Sequence, residues 1–218
     1  MTMPYDVLVL AGGAARRLGG LDKPAQLVGN RSLLDRVLQA AAGAARVVVV
    51  GPRRVVTAAH VRWTQEQPPG AGPVAALQAG LAQVSAPVVV LLAADLPFLP
   101  AALIAALAGE VSTGAGDVEA RVSGSVLVDD DGRPQWLLSA WPTEALRRAL
   151  LGSAPNASLR SVLDDLTWRA LPRSNDPDQS QPPAQPWQDC DTFEELAQAR
   201  RTDQRHHDHP FNTAHLDA

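Results

Sequence analysis

Three short apolar segments, rich in β-branched residues, place the strongest constraint on how this chain can fold. They are YDVLVLA at 5–11, RVVVVG at 46–51 and PVVVLLAA at 87–94. Short apolar runs without polar residues at every second position are typical of strands buried on both faces of a parallel sheet. Each run is followed by a segment with helical periodicity, so the first half of the chain predicts an open α/β sheet.

Three helices are predicted to follow these strands. The segment 32–42 places its leucines and valines on one face, and Ser32 and Asp35 have the spacing of a capping box. The segment 73–84 begins with proline, which is favoured at the first helical position, and 99–107 is followed by Gly109. The resulting order, βαβ(β)αβα, includes one optional strand before the second helix.

The pattern changes in the second half of the chain. Two alternating or extended segments are joined by Asp-Asp-Asp-Gly at 129–132, and Asp-Gly is a strong hairpin signal. Residues 172–186 contain five prolines and predict an exposed loop, while the polar, aperiodic end of the chain predicts disorder. The remaining predictions are strands at 118–128, 133–141 and 168–171, helices at 143–151, 158–165 and 192–200, and a disordered tail at 201–218.

Length and charge limit the classes of function. A chain of 218 residues with 46% hydrophobic content is long enough for one well-buried domain. The formal net charge of -4 gives no basic field for nucleic-acid binding, and no apolar run reaches the roughly 18 residues that cross a bilayer. One cysteine, Cys190, excludes an internal disulfide framework. We therefore expect a cytoplasmic protein that binds neither nucleic acid nor membranes.

A glycine-rich segment, LAGGAARRLGGLDK at 10–23, follows the first predicted strand. It is not a Walker A loop, because Lys23 is followed by proline, and it lacks the GxGxxG spacing of a Rossmann fingerprint. A turn at Gly12 and Gly13 can bring backbone amides close to phosphate oxygens, and Arg17 and Lys23 can neutralise them. The alternative is a flexible surface loop with solvated basic side chains.

This segment resembles the LAGGxxxRxGxxK signature of nucleotidyltransferases that activate sugar phosphates and pterin phosphates. One extra residue precedes the lysine, and the continuation GGLDKPAQLVGNRSLLDRVL at 19–38 is most similar to the molybdenum cofactor guanylyltransferases. The resemblance implies a single-domain, three-layer αβα, Rossmann-like nucleotidyltransferase fold with a mostly parallel sheet at 1–200. It also implies transfer of GMP from GTP to molybdopterin, with release of pyrophosphate. The implied nucleotide contacts in this segment are Leu10, Ala11, Gly12, Gly13, Arg17 and Lys23.

Two acidic segments are implied to bind a metal ion. Asp95 follows the third apolar run, where ligands of open α/β sheets gather, and it matches the family's DxP motif. WQDCDTFEEL at 187–196 resembles the family's second metal segment and maps its ligand onto Asp191, with Asp189 as the alternative. The other interpretations are helix caps: Asp95 as an N-cap, and Thr192 with Glu195 as a capping box.

Two hard carboxylate ligands favour Mg²⁺, with Mn²⁺ as the alternative. Arg17, Lys23 and Asp95 are then the expected catalytic residues. No general base is expected, since a phosphate monoester that attacks the α-phosphorus is already ionised. Cys190 lies between two acidic residues, which disfavours its thiolate, so we interpret it as structural.

Other segments resemble the family's sites for the base and the acceptor. EQPPGAGPVAALQAG at 66–80 is similar to a second nucleotide segment, in which Gly70, Gly72 and Pro73 lead a helix and Glu66 is a candidate for reading the base. Gln135 and Arg160 are the candidate acceptor contacts, although Trp136 replaces the family's proline. The alternatives are an ordinary loop and a solvated surface arginine. His206, His207 and His209 are expected to lie in the disordered tail rather than in a metal tract.

Several functional alternatives stay open from the sequence. GTP and a phosphorylated pterin are the expected partners of a monomer or weak homo-oligomer. A cytidylyltransferase for the same cofactor, or an enzyme that activates a sugar phosphate or phospholactate, has the same phosphate-binding features. A nucleotide-binding partner or regulatory protein without catalysis is the alternative from another class. The sequence leaves open the base, the acceptor, the oligomeric state and the choice between Asp189 and Asp191.

Overall fold

A seven-stranded sheet with helices on both faces forms the centre of the computed structural model. The structure describes residues 3–12, 21–111, 123–153, 157–171 and 185–208, with side chains up to Arg205. Gly13, Arg17, the tail from 209 and all but the last two residues of the proline-rich segment at 172–186 lie outside this part of the chain, as do the side chains of His206 and His207.

The order of strands in the main sheet is β5-β4-β1-β6-β8-β7-β9, and β2 and β3 form a separate antiparallel pair. The strands are β1 (Tyr5–Leu10), β2 (Leu27–Val28), β3 (Arg31–Ser32), β4 (Arg46–Val50), β5 (Val61–Thr64), β6 (Val88–Ala93), β7 (Gly124–Val128), β8 (Pro134–Pro142) and β9 (Trp168–Ala170). The helices are α1 (Leu33–Ala40), α2 (Pro73–Leu81), α3 (Ala101–Gly109), α4 (Thr143–Leu151), α5 (Leu159–Asp164) and α6 (Phe193–Asp208).

Strand direction gives the sheet one functional edge. β1 pairs in parallel with β4 and β6, and β5 pairs in parallel with β4. β8 is antiparallel to both β6 and β7, and β9 is parallel to β7. The carboxyl ends of β1, β4, β5 and β6 therefore lie along one edge, which we call the carboxyl edge. The predicted mostly parallel α/β sheet is confirmed.

The central strands are buried on both faces, as their composition predicts. Val7 and Val9 on β1 belong to a core that includes residues of α1 and α3, whereas Leu8 packs on the opposite face with α2, α4 and α5. All three side chains are fully buried. The sheet is thus the middle of three layers, and only its edges are free to carry polar chemistry.

β5 is the optional strand before the second helix, for which the sequence predicted no residue range. Its sequence, VRWT, has no apolar run, and Arg62 is exposed at this outer edge of the sheet. The expected hairpin at 129–132 is present, with the Gly132 amide donating to the Asp129 carbonyl oxygen at 3.1 Å. An alternating edge strand of four residues carries too weak a signal for detection from sequence.

The last helix, α6, continues past residue 200 to Asp208, so the expectation of disorder from residue 201 is wrong for 201–208. The physical reason is an ion pair on the buried carboxylate of Asp203, to whose Oδ1 Arg36 Nη2 donates at 2.5 Å. Arg36 also donates to the carbonyl oxygens of Val28 and Pro97. Because this anchor is polar, hydropathy gave no indication of it. In the part of the chain that the structure describes, no helix has the length and apolar character to span a membrane.

Candidate functional site

Lys23 lies between two carboxylates at the carboxyl edge. Its Nζ forms an ion pair with Asp95 Oδ2 and donates a hydrogen bond to Asp191 Oδ1 at 2.5 Å. Lys23 begins a 3₁₀ turn at Lys23–Ala25, Asp95 follows β6, and Asp191 precedes α6. Three distant parts of the sequence that were each predicted to carry a site residue therefore meet at one point.

Asp189 joins the same cluster. Asp95, Asp189 and Asp191 each offer an oxygen atom, and these atoms lie within 4.8 Å of one another. Asp95 Oδ1 is buried and has no hydrogen-bond partner among the described residues. An unpaired buried polar group costs about 1–3 kcal/mol, so this oxygen is a candidate ligand atom. Hard carboxylate oxygens are the donors that Mg²⁺ and Mn²⁺ prefer, so these residues fit a divalent cation.

The charges in the cluster influence one another. Although part of the Asp189 side chain is exposed to solvent, desolvation of its carboxyl group, followed by the charges of Asp191 and Asp95, raises its pKa to about 6. Burial lowers the pKa of Lys23, but the charge of Asp95 and the hydrogen bonds to Asp191 and Asp95 outweigh it, so that the pKa is raised overall. Lys23 is thus held as a cation that partly balances the acidic groups.

Cys190 anchors the segment that carries Asp189 and Asp191. Its side chain is fully buried in a small apolar cluster with Val28, Leu33 and, from α6, Leu196 and Ala199. Burial, followed by the charge of Asp95, raises the pKa of the thiol to about 12. Both features agree with the structural role predicted for Cys190, and they leave the flanking carboxylates at the surface of the site.

The capping box expected at the start of α6 is present. The Thr192 amide donates to Glu195 Oε2 at 2.7 Å, and the Glu195 amide donates to Thr192 Oγ1 at 3.2 Å. This interpretation does not compete with a role for Asp191, because Asp191 lies outside the box and contacts Lys23. The helix start fixes the backbone that presents Asp191.

The glycine-rich segment begins in a narrow space between β4 and β6. The Ala11 amide donates to the Val50 carbonyl oxygen at 2.8 Å, and the Ala94 amide donates to the Leu10 carbonyl oxygen at 3.2 Å. Gly51, with φ of 144°, is so close that a Cβ there would lie 2.8 Å from the carbonyl carbon of Ala11. Gly12 is exposed beyond this contact. Sequence reasoning missed Gly51, although a glycine directly after a buried strand was a usable signal.

Arg54 is a second residue that sequence reasoning missed. Its guanidinium donates to both carboxylate oxygens of Asp22 at 2.7–2.9 Å, and Nη1 donates to the carbonyl oxygens of Ala11 and Pro52. Asp22 directly precedes Lys23 in the sequence. The only signal for this arginine was its position shortly after a strand, beside the equally basic Arg53.

The predicted second nucleotide segment follows β5 at the same edge. Glu66 is buried; its Oε1 accepts a hydrogen bond from the Gly70 amide at 2.9 Å, and its Oε2 has no partner among the described residues. Gly72, with φ of 101°, is the N-cap of α2, and Pro73 is the first residue of the helix. The expected glycine turn and helix start are therefore present, and Glu66 carries a second buried oxygen that lacks a partner.

The two candidate acceptor residues have different positions. Gln135 lies near the start of β8, which reaches the carboxyl edge because β8 is antiparallel to β6. Its Nε2 donates to Asp129 Oδ2 at 2.8 Å. Hydrogen bonds to this aspartate, first from the Arg133 amide, lower the pKa of Asp129. Arg160 is exposed on α5, and no described contact joins it to the carboxylate cluster.

Comparison with known proteins gives a consistent family. Residues 7–171 match the model of the MobA-like NTP transferase domain. A molybdenum cofactor guanylyltransferase from Bradyrhizobium sp. (strain ORS 278) is 30% identical over 210 residues, which cover 89% of this chain and 91% of that protein.

Two solved structures share the fold. Molybdopterin-guanine dinucleotide biosynthesis protein A from Archaeoglobus fulgidus superposes with a TM-score of 0.65 and 21% identity, covering 92% of this chain and 99% of that one. A nucleotidyl transferase from Methanothermobacter thermautotroptrophicus gives a TM-score of 0.67 at 16% identity, covering 94% and 99%. At these identities the structural likeness supports the architecture alone.

Proposed function

Because the chain belongs to the MobA-like NTP transferase family of nucleotidyltransferases, we propose that it transfers GMP from GTP to the phosphate of molybdopterin. The observation that carries this proposal is the carboxylate cluster at the carboxyl edge, in which one buried oxygen of Asp95 has no hydrogen-bond partner in the described part of the chain. Lys23, the backbone at Ala11 and Gly12, and the turn before α2 open onto the same edge as this cluster.

The proposed reaction is a displacement at the α-phosphorus. An oxygen of the acceptor phosphate forms the new bond to that phosphorus, and the bond to the bridging oxygen breaks, so that pyrophosphate leaves with its electron pair. Asp95 and Asp191 would hold the divalent cation, with Asp189 as the alternative second ligand. The bound cation supplies charge neutralisation at the α-phosphate.

The chain's own residues bind and orient the triphosphate. Lys23 contributes a compact positive charge, and the amides that follow β1 are placed to approach phosphate oxygens, with Gly13 and Arg17 proposed to extend this contact. No proton needs to be removed from an ionised phosphate monoester.

Glu66 supports guanine as the base. Guanine presents two neighbouring donors, N1–H and the N2 amino group. Glu66 Oε2, which is buried and accepts no hydrogen bond from any residue that the structure describes, is a suitable acceptor for them. Cytosine offers one amino donor beside an acceptor nitrogen, which a carboxylate would repel. A cytidylyltransferase acting on the same cofactor is the second candidate, since Glu66 Oε1 is already bonded to Gly70. Gln135 and Arg160 stay the proposed acceptor contacts.

Label transfer tests this proposal directly. Purified protein is incubated with Mg²⁺ and molybdopterin that carries molybdenum, and transfer from α-labelled GTP is compared with transfer from α-labelled CTP. Transfer from GTP alone is the expected result. Transfer from CTP alone would move the assignment to the cytidylyltransferase. Nucleotide binding without transfer to this acceptor would contradict the proposal and favour another phosphorylated acceptor or a non-catalytic binder.

A further inference from the structure

We infer that Arg54 is a positioning residue, which holds together the two ends of the glycine-rich segment and thereby places Lys23 and the Ala11–Gly12 backbone for the nucleotide. The expected effect on nucleotide binding rests on the proposed function, but the contacts that carry the inference are independent of any ligand. Arg54 lies outside both segments that sequence reasoning assigned to the nucleotide.

The side chain of Arg54 reaches both ends of the glycine-rich segment. Nε and Nη2 donate to the two carboxylate oxygens of Asp22, and Nη1 donates to the Ala11 carbonyl oxygen at 3.0 Å. The side chain of Arg54 is 13% exposed and that of Asp22 is 48% exposed, so the guanidinium is shielded from water while the carboxylate is only partly covered. A planar guanidinium that binds a carboxylate through two bonds fixes orientation as well as distance, which a lysine cannot reproduce.

The end that carries Asp22 passes its position directly to Lys23. Asp22 is the N-cap of the 3₁₀ turn that begins at Lys23, and its carbonyl oxygen accepts from the Ala25 amide at 3.2 Å. The Gln26 amide then donates to the Lys23 carbonyl oxygen at 3.0 Å. A displacement of Asp22 therefore displaces the backbone from which Lys23 reaches the carboxylate cluster.

The other end is fixed at the same place by close packing. Gly51 lies against the Ala11–Gly12 peptide at a distance that no side chain would allow, three residues before Arg54. The chain after β4 thus supports the Ala11 backbone by contact at Gly51 and by a hydrogen bond from Arg54. Both observations indicate that the loop after β4 supports the backbone proposed to bind phosphate.

Hydrogen exchange of the protein without nucleotide tests the positioning itself. The reporters are the amides of Ala11, Ala25 and Gln26, measured in Arg54→Met, in Asp22→Asn and in the matched control Arg53→Met, whose exposed parent residue is the neighbour of Arg54. We expect exchange at least about tenfold faster in the first two variants and unchanged rates in the control. Equal rates in Arg54→Met and Arg53→Met would overturn the inference, whatever reaction the enzyme catalyses.

Steady-state kinetics then test the consequence for function. Arg54→Met should raise the KM for the nucleotide about tenfold and leave the KM for the acceptor unchanged. Arg54→Lys should recover only part of the loss, and combining Arg54→Met with Asp22→Asn should be no worse than Arg54→Met alone. Equal increases in both KM values, or additive effects of the two substitutions, would contradict a positioning role.

Failure of the proposed function and failure of the inference on Arg54 give different results. If the unaltered protein transfers no nucleotide, the proposed function fails while hydrogen exchange still decides the role of Arg54. If it transfers GMP but Arg54→Met behaves like Arg53→Met in both measurements, the function stands and the inference fails.

Discussion

Among the residues that the structure describes, two ion-paired sites join the C-terminal segment to the rest of the molecule, and they are built differently. At the first, Arg36 binds Asp203 and uses its other donors on the carbonyl oxygens of Val28 and Pro97. At the second, Lys23 binds Asp95 and Asp191, yet Asp95 Oδ1 is buried without a partner among the described residues. A site whose groups are satisfied by the protein serves structure, whereas a buried oxygen left without a partner indicates a place for a ligand.

The largest expected effect separates function from stability at the second site. Asp95→Asn removes a charge from the cluster but keeps the shape of the side chain, so the rate of nucleotidyl transfer should fall by at least about 10²–10³-fold. The melting temperature should change little, because Asp95 Oδ1 has no hydrogen-bond partner among the described residues and Lys23 keeps its hydrogen bond to Asp191 when the charge of Asp95 is removed. Label transfer and thermal unfolding measure the two effects, and near-normal turnover would remove Asp95 from the proposed metal site.

The opposite outcome is expected at the first site. Arg36→Met leaves the carboxylate of Asp203 buried without its main partner, which should lower the free energy of unfolding by about 3 kcal/mol in urea denaturation. The double variant Arg36→Met/Asp203→Leu should regain much of this loss, since it also removes the buried carboxylate. At a temperature where Arg36→Met is folded, its kcat should stay close to the normal value. A large loss of kcat in the folded variant would break the distinction between the two sites.

Lys23 sharpens the comparison because its charge faces both the cluster and the proposed phosphates. Lys23→Met should weaken nucleotide binding by about 10-fold or more, as the loss of one charged contact costs roughly 1.5–3 kcal/mol. Without nucleotide, the same variant should bind Mn²⁺ more tightly, because Lys23 no longer competes for the oxygens of Asp95 and Asp191. Titration with Mn²⁺ followed by electron paramagnetic resonance measures this second effect, and weaker Mn²⁺ binding would contradict the proposed competition.

The smallest effect concerns the helix start that supports Asp191. Thr192→Ala removes the hydroxyl that accepts from the Glu195 amide, and loss of such a cap costs about 1 kcal/mol. The KM for the nucleotide should rise by a smaller factor than that by which Lys23→Met weakens nucleotide binding, because Asp191 keeps its side chain. Urea denaturation and steady-state kinetics provide the two values. An effect on turnover as large as that of Asp95→Asn would show that Thr192 has a direct role.

The sequence predicted the sheet, and the positions of Gly12 and Asp95 after their strands, because both depend on strong local signals. Apolar β-branched runs define β1, β4 and β6, and the position after each run places Gly12 and Asp95 at one edge. Asp191 is different, since only the family resemblance linked it to Asp95 across the length of the chain. The structure brings both to Lys23.

The features that sequence reasoning missed depend on pairs of distant residues. Arg54 acquires its place from Asp22 and Ala11, and the end of α6 acquires its order from Arg36. Neither arginine differs locally from a solvated surface residue. Gln135 is a residue that the sequence motif did single out. The motif gave no indication, however, that its side chain donates a hydrogen bond to Asp129 within the hairpin.

The burial of Cys190 also gives the protein an internal reporter. It is the only cysteine in the sequence, and its side chain has no exposed surface in the folded chain. A thiol reagent such as iodoacetamide can reach it only after the contacts with Val28, Leu33 and α6 have opened. The rate of alkylation therefore measures how often the segment that presents Asp189 and Asp191 detaches from the body of the protein.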